Sequence, residues 1–406
     1  MIKAHEIKLY PTKTQEIFFK KSCGVRRFAF NWALNKWNKL YLKGENTSAY
    51  SLVKHLNSIK RTEFVWMQET AKTCSQYAIH AVEAAWKNYF RELKKGNKNI
   101  GKPKFKKKGY CKDGFVAVEN KEQFKQKDFK IWIPRLGWVK CSENLRFSGK
   151  VNNISVKRIA NMWFAVVNIE VIPKEAFTIN ENQVIVGVDL GIKSMAVTSN
   201  GRVYENPKAL KKGLRNLKHQ QRLLARKVKG SSNRQKQQIK IARAHYKIVC
   251  IRKNALHKAS NEIVGNADVI VLEDLQVKNM VKNHNLAQAI NDVSFSELRR
   301  QIEYKAEWAS KEVIITDKWF ASSKICCGCG HKKEHLTLSE RIYKCDNCGL
   351  EIDRDENAAH NLANYGTLLK PNGSKSCGEG SSVISEMVLF SPSVKQEIVQ
   401  INTNFN

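Results

Sequence analysis

Residues 322–330 read SSKICCGCG and residues 343–366 read YKCDNCGLEIDRDENAAHNLANYG. Cys326, Cys329, Cys345 and Cys348 form two C-x-x-C pairs about fifteen residues apart, the spacing that a four-cysteine zinc ribbon needs. Each short turn presents two thiolates to one side of a metal, and the hairpin between them returns the second pair. The stretch RDENAAHNLANYG (354–366) then reads as a closing helix, with Asp355 in its first turn and Gly366 at its C-cap. Asp353 and Glu356, spaced D-x-x-E, read as an N-cap with its capping-box partner. A metal-locked ribbon would therefore hold an acidic helix start in a fixed place.

Upstream, two apolar strands end in acids. VIVGVDLGI (184–192) ends in Asp189, and ADVIVLEDL (267–275) ends in Glu273 with Asp274 beside it as a rival. Groups at strand ends of an open α/β sheet face one crevice. Three carboxylates meeting there repel one another and call for a cation. Magnesium suits oxygen donors, and paired ions about 3.5–4 Å apart are a standard device for cleaving phosphodiesters. Taken singly, each acid has a plain structural reading: Asp189 as a turn residue, Glu273 or Asp274 in a surface ion pair, Asp355 answering a helix dipole. The order strand–Asp, strand–Glu, ribbon, helix–Asp is what points to catalysis.

The chain has 406 residues, enough for several domains, with 71 Lys+Arg against 37 Asp+Glu and a net charge of +34. Such an excess is kept mainly where a polyanion neutralises it, and nucleic acid is the usual one. No signal peptide or long apolar run favours a membrane, and the seven cysteines outside the ribbon pairs suggest no disulfide framework, so a reducing cytoplasm is expected. No internal repeat is visible.

Residues 2–10 read as a strand, and from Pro11 to about Phe90 the pattern is helical, with Phe18, Phe28, Trp32, Trp37, Trp66, Trp86 and Phe90 at helical spacings. Those rings suit a bundle core, and some suit stacking on exposed bases. RELKKGNKNIGKPKFKKKGY (91–110) reads as a non-helical basic connector whose Lys104, Lys106, Lys107 and Lys108 would meet phosphates. FVAVE, FKIWIP, WVKCS, NNISVKRI and MWFAVVNIEVI then read as strands of an antiparallel barrel or sandwich. Beyond Asp189, KSMAVTSNGRVYE reads as a hairpin about Asn200-Gly201, and 207–265 as two basic helices broken near Gly230. Their Arg215, Lys218, Arg222, Arg226, Lys227, Arg234, Lys240 and Arg243 are scarcely offset by acids and would contact nucleic acid. FSELRRQIEYKAEWASK is an amphipathic helix and EVIITD a strand. The tail from Leu369 is Ser/Gly-rich and expected to be disordered.

The order GVDLGIK, VIVLEDL, SSKICCGCG, YKCDNCGLEIDRDENAAHNL resembles TnpB, the OrfB-type protein of bacterial transposons and relative of type V CRISPR effectors. IKLYPTKTQE, RRFAFNWAL, AVEAAWKNYFREL, GKPKFKKK and IPRLGWVK extend the resemblance over roughly residues 2–366. It implies a multidomain α/β protein: an RNase H-like (RuvC) nuclease with an inserted zinc ribbon, an N-terminal helical recognition domain and a β-barrel (wedge) domain. The implied boundaries are 1–10 for the first wedge strand, 11–100 for the helical domain and 101–182 for the wedge barrel. The nuclease would occupy 183–320 and 351–368, the ribbon 321–350 and the tail 369–406.

The resemblance further implies a guide RNA from the transposon end, a double-stranded DNA target beside a short motif, and an Asp189–Glu273–Asp355 set holding magnesium, with zinc on the four ribbon cysteines. The helical domain and barrel would hold the guide duplex and the motif. Arg341 would either assist the transition-state phosphate or stand as a ribbon-surface residue. Ala321 and Cys327 depart from the family's common Pro and small polar residue. A compact CRISPR effector shares this chemistry, and inactivated relatives act as guided repressors, but they lose one or more of the acids that this chain keeps. No His-hydrophobic-His pair supports a transposase proper.

Overall fold

The computed structural model describes residues 1–97, 99–118, 125–172, 183–337 and 340–369, and the chain divides into two compact units, 1–172 and 173–406. The tail expected to be disordered lies outside the described residues, apart from Leu369.

The first unit begins with β1 (Ile2–Tyr10), followed by α1 (Lys13–Leu42), α2 (Ala49–Ile59) and α3 (Thr73–Lys94). Pro11 stops the strand, and Thr12 opens α1 with a capping box: its hydroxyl accepts from the Gln15 N–H while the Gln15 side chain accepts from the Thr12 N–H. The helix α3 runs to Lys94, four residues into the stretch read as a non-helical connector, because Arg91–Lys94 precede the first glycine. Then come β2 (Gly114–Val118), β3 (Gln126–Lys127), β4 (Lys130–Ile133), β5 (Gly137–Cys141), β6 (Lys150–Ile159) and β7 (Met162–Glu170). The runs read as a barrel or sandwich pair into one seven-stranded antiparallel sheet, ordered β2-β6-β7-β1-β5-β4-β3. Its inward residues, such as Ile7, Ile131 and Val167, share a core with Phe19, Leu34, Val82 and Trp86 of the helices. Trp86 is fully buried and Phe28 and Trp32 pack against the core, whereas Trp66 and Phe90 keep more than a third of their surface exposed.

The second unit contains β8 (Ile185–Asp189), β9 (Ser194–Thr198), β10 (Val203–Glu205), α4 (Ala209–Ala225), α5 (Ser232–Gly265), β11 (Val269–Leu272), α6 (Val277–Met280), α7 (His284–Val293), α8 (Phe295–Trp308) and β12 (Glu312–Ile315). A hairpin of β13 (Ile342–Lys344) and β14 (Glu351–Asp353) leads into α9 (Arg354–Leu369). The five-stranded sheet is ordered β10-β9-β8-β11-β12, with β8, β9 and β10 antiparallel and β8, β11 and β12 parallel.

Its central strands are apolar on both faces because both are covered. Val186, Val188, Ile270 and Leu272 pack with α5 and α8, and Ile185, Val269 and Val271 pack with Leu362 of α9. Between Ile185 and Val188, Gly187 leaves room for the α9 backbone to lie on the sheet: a Cβ there would stand 2.0 Å from the Ala359 oxygen and 2.4 Å from the Ala363 nitrogen. Gly366 plays a similar part. It lies inside α9, which runs on to Leu369, and a Cβ on it would meet Val271 Cγ2 at 2.6 Å. The C-cap expected there gives way to a close helix–sheet contact.

Because the obstacle at Gly187 is backbone, it cannot rotate aside. Gly187→Ala is expected to cost about 3 kcal/mol or more in urea unfolding of the full chain. A loss below about 1 kcal/mol would show that α9 does not bear on this strand.

Candidate active site and metal centre

The parallel pairing of β8 with β11 sets Val188 opposite Leu272, so the next residues, Asp189 and Glu273, sit side by side at two adjacent strand tips. Neighbouring strands lie about 4.8 Å apart. The third acid comes from α9. Asp353 closes β14, and its carboxylate accepts from the N–H groups of Asp355 (2.9 Å) and Glu356 (3.3 Å), which makes it the N-cap. Glu356, read as the capping-box partner, turns towards His360 instead. Asp355 Oδ2 lies 4.0 Å from where a Cβ on Gly191 would stand, just past the end of β8.

Asp189, Glu273 and Asp355 line one cavity of about 920 Å³ together with Arg341, Arg354 and Ser323. Lys193, Lys208 and Lys211 line it too, and Leu286 and Met280 give it an apolar wall. Asp189 keeps a small opening to the cavity but is otherwise enclosed by protein. Burial, then the negative fields of Glu273 and Asp355, raise its pKa well above the usual carboxylate range, with Arg354 pulling the other way. Burial also raises Glu273, partly offset by a hydrogen bond from the Ser322 hydroxyl and by Arg354. The rival Asp274 is engaged elsewhere, paired with Arg299 at 2.8 Å. Three carboxylates meeting in one cavity offer the oxygen donors that a hard divalent ion prefers.

The four cysteines gather more tightly. Their sulfurs all lie within 4.8 Å of one another, with Cys326–Cys348 and Cys329–Cys345 each 3.6 Å apart. A tetrahedron with Zn–S bonds of about 2.3 Å has edges of about 3.8 Å, so the cluster has zinc dimensions. Burial pushes the Cys326 thiol up. Burial also opposes ionisation of Cys329, but hydrogen bonds from the His331 N–H, the Asn347 amide and the neighbouring Cys348 and Cys345 together bring that thiol down to about 6.

Two asparagines join this centre to the acids. Asn357 donates to the Ile325 carbonyl (2.7 Å) and accepts from the Cys327 N–H (3.0 Å); Asn361 donates to the carbonyls of Ser322 (2.8 Å) and Ile325 (2.6 Å). Both are almost fully buried. Ser322, Arg354, Asn357 and Asn361 escaped the sequence reading. The only signal was an N-x-x-x-N pair on the Ala/Leu face of a helix.

Two residues expected to touch nucleic acid have structural duties. Lys106 is half-buried with its Nζ 3.5 Å from the Phe30 ring centroid, its backbone is clamped by Asn31, and burial pushes its ammonium down to about 8. Arg234 donates to the carbonyls of Leu224 (2.8 Å) and Lys227 (3.0 Å), closing the C-terminal end of α4. Lys227 is half-buried, while Lys104, Lys107 and Lys108 are exposed. Arg215, Lys218 and Arg222 on α4, Arg226 at its C-cap, and Lys240 and Arg243 on α5 are exposed with no ion-pair partner among the described residues.

Two relatives match this chain over more than nine-tenths of their own length. A Streptomyces pristinaespiralis protein named "Putative RNA-guided DNA endonuclease" is 31% identical over 93% of this chain and 91% of its own length. The Escherichia coli K12 protein "Putative RNA-guided DNA endonuclease InsQ" is 30% identical over 93% of this chain and 94% of its own. The chain belongs to the TnpB (OrfB) family. Family profiles match residues 166–284 (OrfB_IS605, "Probable transposase"), 295–362 ("Cas12f1-like, TNB domain") and 1–46 ("Helix-turn-helix domain"). In this TnpB-family chain the last span is filled by β1 and the single long helix α1. A cryo-EM structure of a Cas12f1–sgRNA–target DNA complex shares the fold, with a TM-score of 0.55 at 18% identity over 86% of this chain and 83% of that one. No helix among the described residues is long and apolar enough to cross a membrane.

A raised folded-state pKa at Asp189 means the folded protein binds a proton there more tightly than the unfolded chain. Without a divalent ion, stability therefore falls as pH rises from the ordinary carboxylate range through the raised value. Asp189→Asn is expected to raise Tm at pH 7 in magnesium-free, zinc-replete buffer and to lose most of the Tm gain that added magnesium gives the wild type. Equal magnesium shifts in both proteins would contradict a cation at Asp189.

Proposed function

We propose that the protein is an RNA-guided, magnesium-dependent DNA endonuclease of TnpB type, cutting target DNA beside a short motif under direction of a guide RNA from the transposon end. The observation that carries the reading is the register that sets Asp189 beside Glu273 in the cavity that Asp355 also lines. Strand order β10-β9-β8-β11-β12, with three antiparallel strands followed by two parallel ones, supports an RNase H-like (RuvC) nuclease. The seven-stranded antiparallel sheet supports a wedge domain completed by β1.

In this reading Asp189, Glu273 and Asp355 hold magnesium, and Cys326, Cys329, Cys345 and Cys348 hold structural zinc. Bound magnesium supplies Lewis acidity for the attacking water and the leaving 3′ oxygen. Ser322 fixes the Glu273 carboxylate by its hydrogen bond, and Arg354 and Arg341 place positive charge where the scissile phosphate enters. Lys193, Lys208 and Lys211 draw the strand in. The exposed arginines and lysines of α4 and α5 track its backbone. One such nuclease site would cut one strand and then the other. The named activity of the full-length relatives, together with the retention of all three acids, favours cleavage over guided repression.

Asp189→Ala, Glu273→Ala and Asp355→Ala are each expected to abolish plasmid cutting by the guide-loaded protein, a loss of at least about 10³-fold. Target binding should be retained, read by gel shift with the co-purified RNA. A cut duplex from any one variant would remove that residue from the catalytic set.

A further inference from the structure

Three parallel strands end in line at the acid cavity, and the third leads to a tryptophan that the fold leaves unused. The register sets Val188 opposite Leu272 and Leu272 opposite Ile315, so Asp189, Glu273 and Thr316 follow at three adjacent strand tips. The Thr316 N–H donates to the Leu272 carbonyl at 2.9 Å, which carries the pairing one residue past β12. The chain then leaves the sheet and comes back: the Ser322 hydroxyl donates to Glu273. Residues 317–321 thus form a short loop with both ends beside one acid, at the strand edge where ligands of open α/β sheets collect.

This loop is held from within. Phe320 packs on the Tyr365 ring of α9, with centroids 4.9 Å apart. The Asp317 carboxylate accepts from the Trp319 N–H (2.8 Å), and the Asp317 carbonyl accepts from the Phe320 N–H (3.0 Å). At the midpoint, three residues from both Thr316 and Ser322, Trp319 faces solvent. It is the most exposed of the nine tryptophans, at 81%. Lys318 Nζ lies over its ring, 4.9 Å from the centroid. Three residues of chain span at most about 10 Å, so the backbone carrying this ring stays that close to the acids' neighbours.

Single apolar side chains on a surface are common and mean little. Trp319 differs because a held loop fixes it beside the acids with a cation on its ring. A flat ring with a lysine next to it matches a nucleotide whose base and phosphate are both within reach. Bases of a duplex keep their faces stacked inside, so the matching occupant is an unpaired strand. Stacking uses a π-face that every base has, so the contact accepts any sequence. A nuclease whose sequence choice is made by a guide needs that tolerance.

We propose that Trp319 stacks on a base of the unpaired DNA strand entering the cavity, with Lys318 on a neighbouring phosphate, and so positions the phosphodiester to be cut. A reach of about 10 Å is about three stacked nucleotides at 3.4 Å each, which puts the base within three nucleotides of that bond. The proposal rests on the nuclease reading above and deepens it by naming a residue that positions the strand.

The test uses the full chain with zinc and its co-purified RNA, and a guide-matched DNA target with one abasic nucleotide walked through the positions on either side of the cut. Wild-type cleavage is expected to fall about five-fold to a hundred-fold at one of those positions. Trp319→Ala is expected to lose as much on the intact target and nothing further on the abasic one, because base and ring act as a pair. Trp319→Phe keeps most of the activity. A role in folding alone would leave the abasic penalty in place in the variant. A second readout needs no cutting. In magnesium-free buffer, 2-aminopurine walked along the same strands is expected to be quenched at the stacked position and to brighten there in Trp319→Ala. Full cleavage by Trp319→Ala, the absence of a sensitive abasic position, or penalties that multiply would overturn the stack. If the wild type leaves DNA uncut and 2-aminopurine still brightens in the variant, the nuclease reading falls and the stack stands; without the brightening, both fall.

Discussion

Asn357 and Asn361 hold the second unit's chemistry together. From one face of α9 they bind the backbone of residues 322–327, where the first cysteine pair begins and where Ser322 meets Glu273. A buried amide left without a partner costs roughly 1–3 kcal/mol, so these contacts specify one seating of helix against ribbon. Gly187 adds the other half of the constraint by letting the same helix lie on β8. The acid at the start of α9 is thus fixed relative to the acids at the ends of β8 and β11.

That convergence works against the fold's own electrostatics. Asp189 is enclosed among protein atoms and faces two like charges, and Arg354 offsets only part of the cost. In the proposed reading a divalent ion would relieve that repulsion. A chain with net charge +34 carries its excess in particular places, and some of it is already used internally.

The acids and cysteines were legible because their signals are local: an apolar run ending in a carboxylate, or a thiolate pair in a tight turn. Asp274 and Glu273 could not be separated that way, since the choice depends on Arg299, a helix away. Ser322, Arg354, Asn357 and Asn361 matter only through tertiary partners and left almost no trace in composition. The internal partners of Lys106 and Arg234 were hidden for the converse reason: a cation's sequence neighbours do not reveal that it lies on Phe30 or closes the end of α4. Gly366 looked like a helix stop, and only the packing against Val271 shows why glycine is needed inside the helix.

The most direct test of this account is manganese binding, by calorimetry, to the full chain before and after its zinc is removed by a chelator that is then washed away. None of the four cysteines lines the acid cavity. If the ribbon and its asparagine contacts position Asp355, zinc removal weakens manganese binding at the acids by at least about ten-fold, and zinc return restores it. Manganese affinity unchanged in the zinc-free, still-folded protein would contradict the claim that the ribbon gathers the acids.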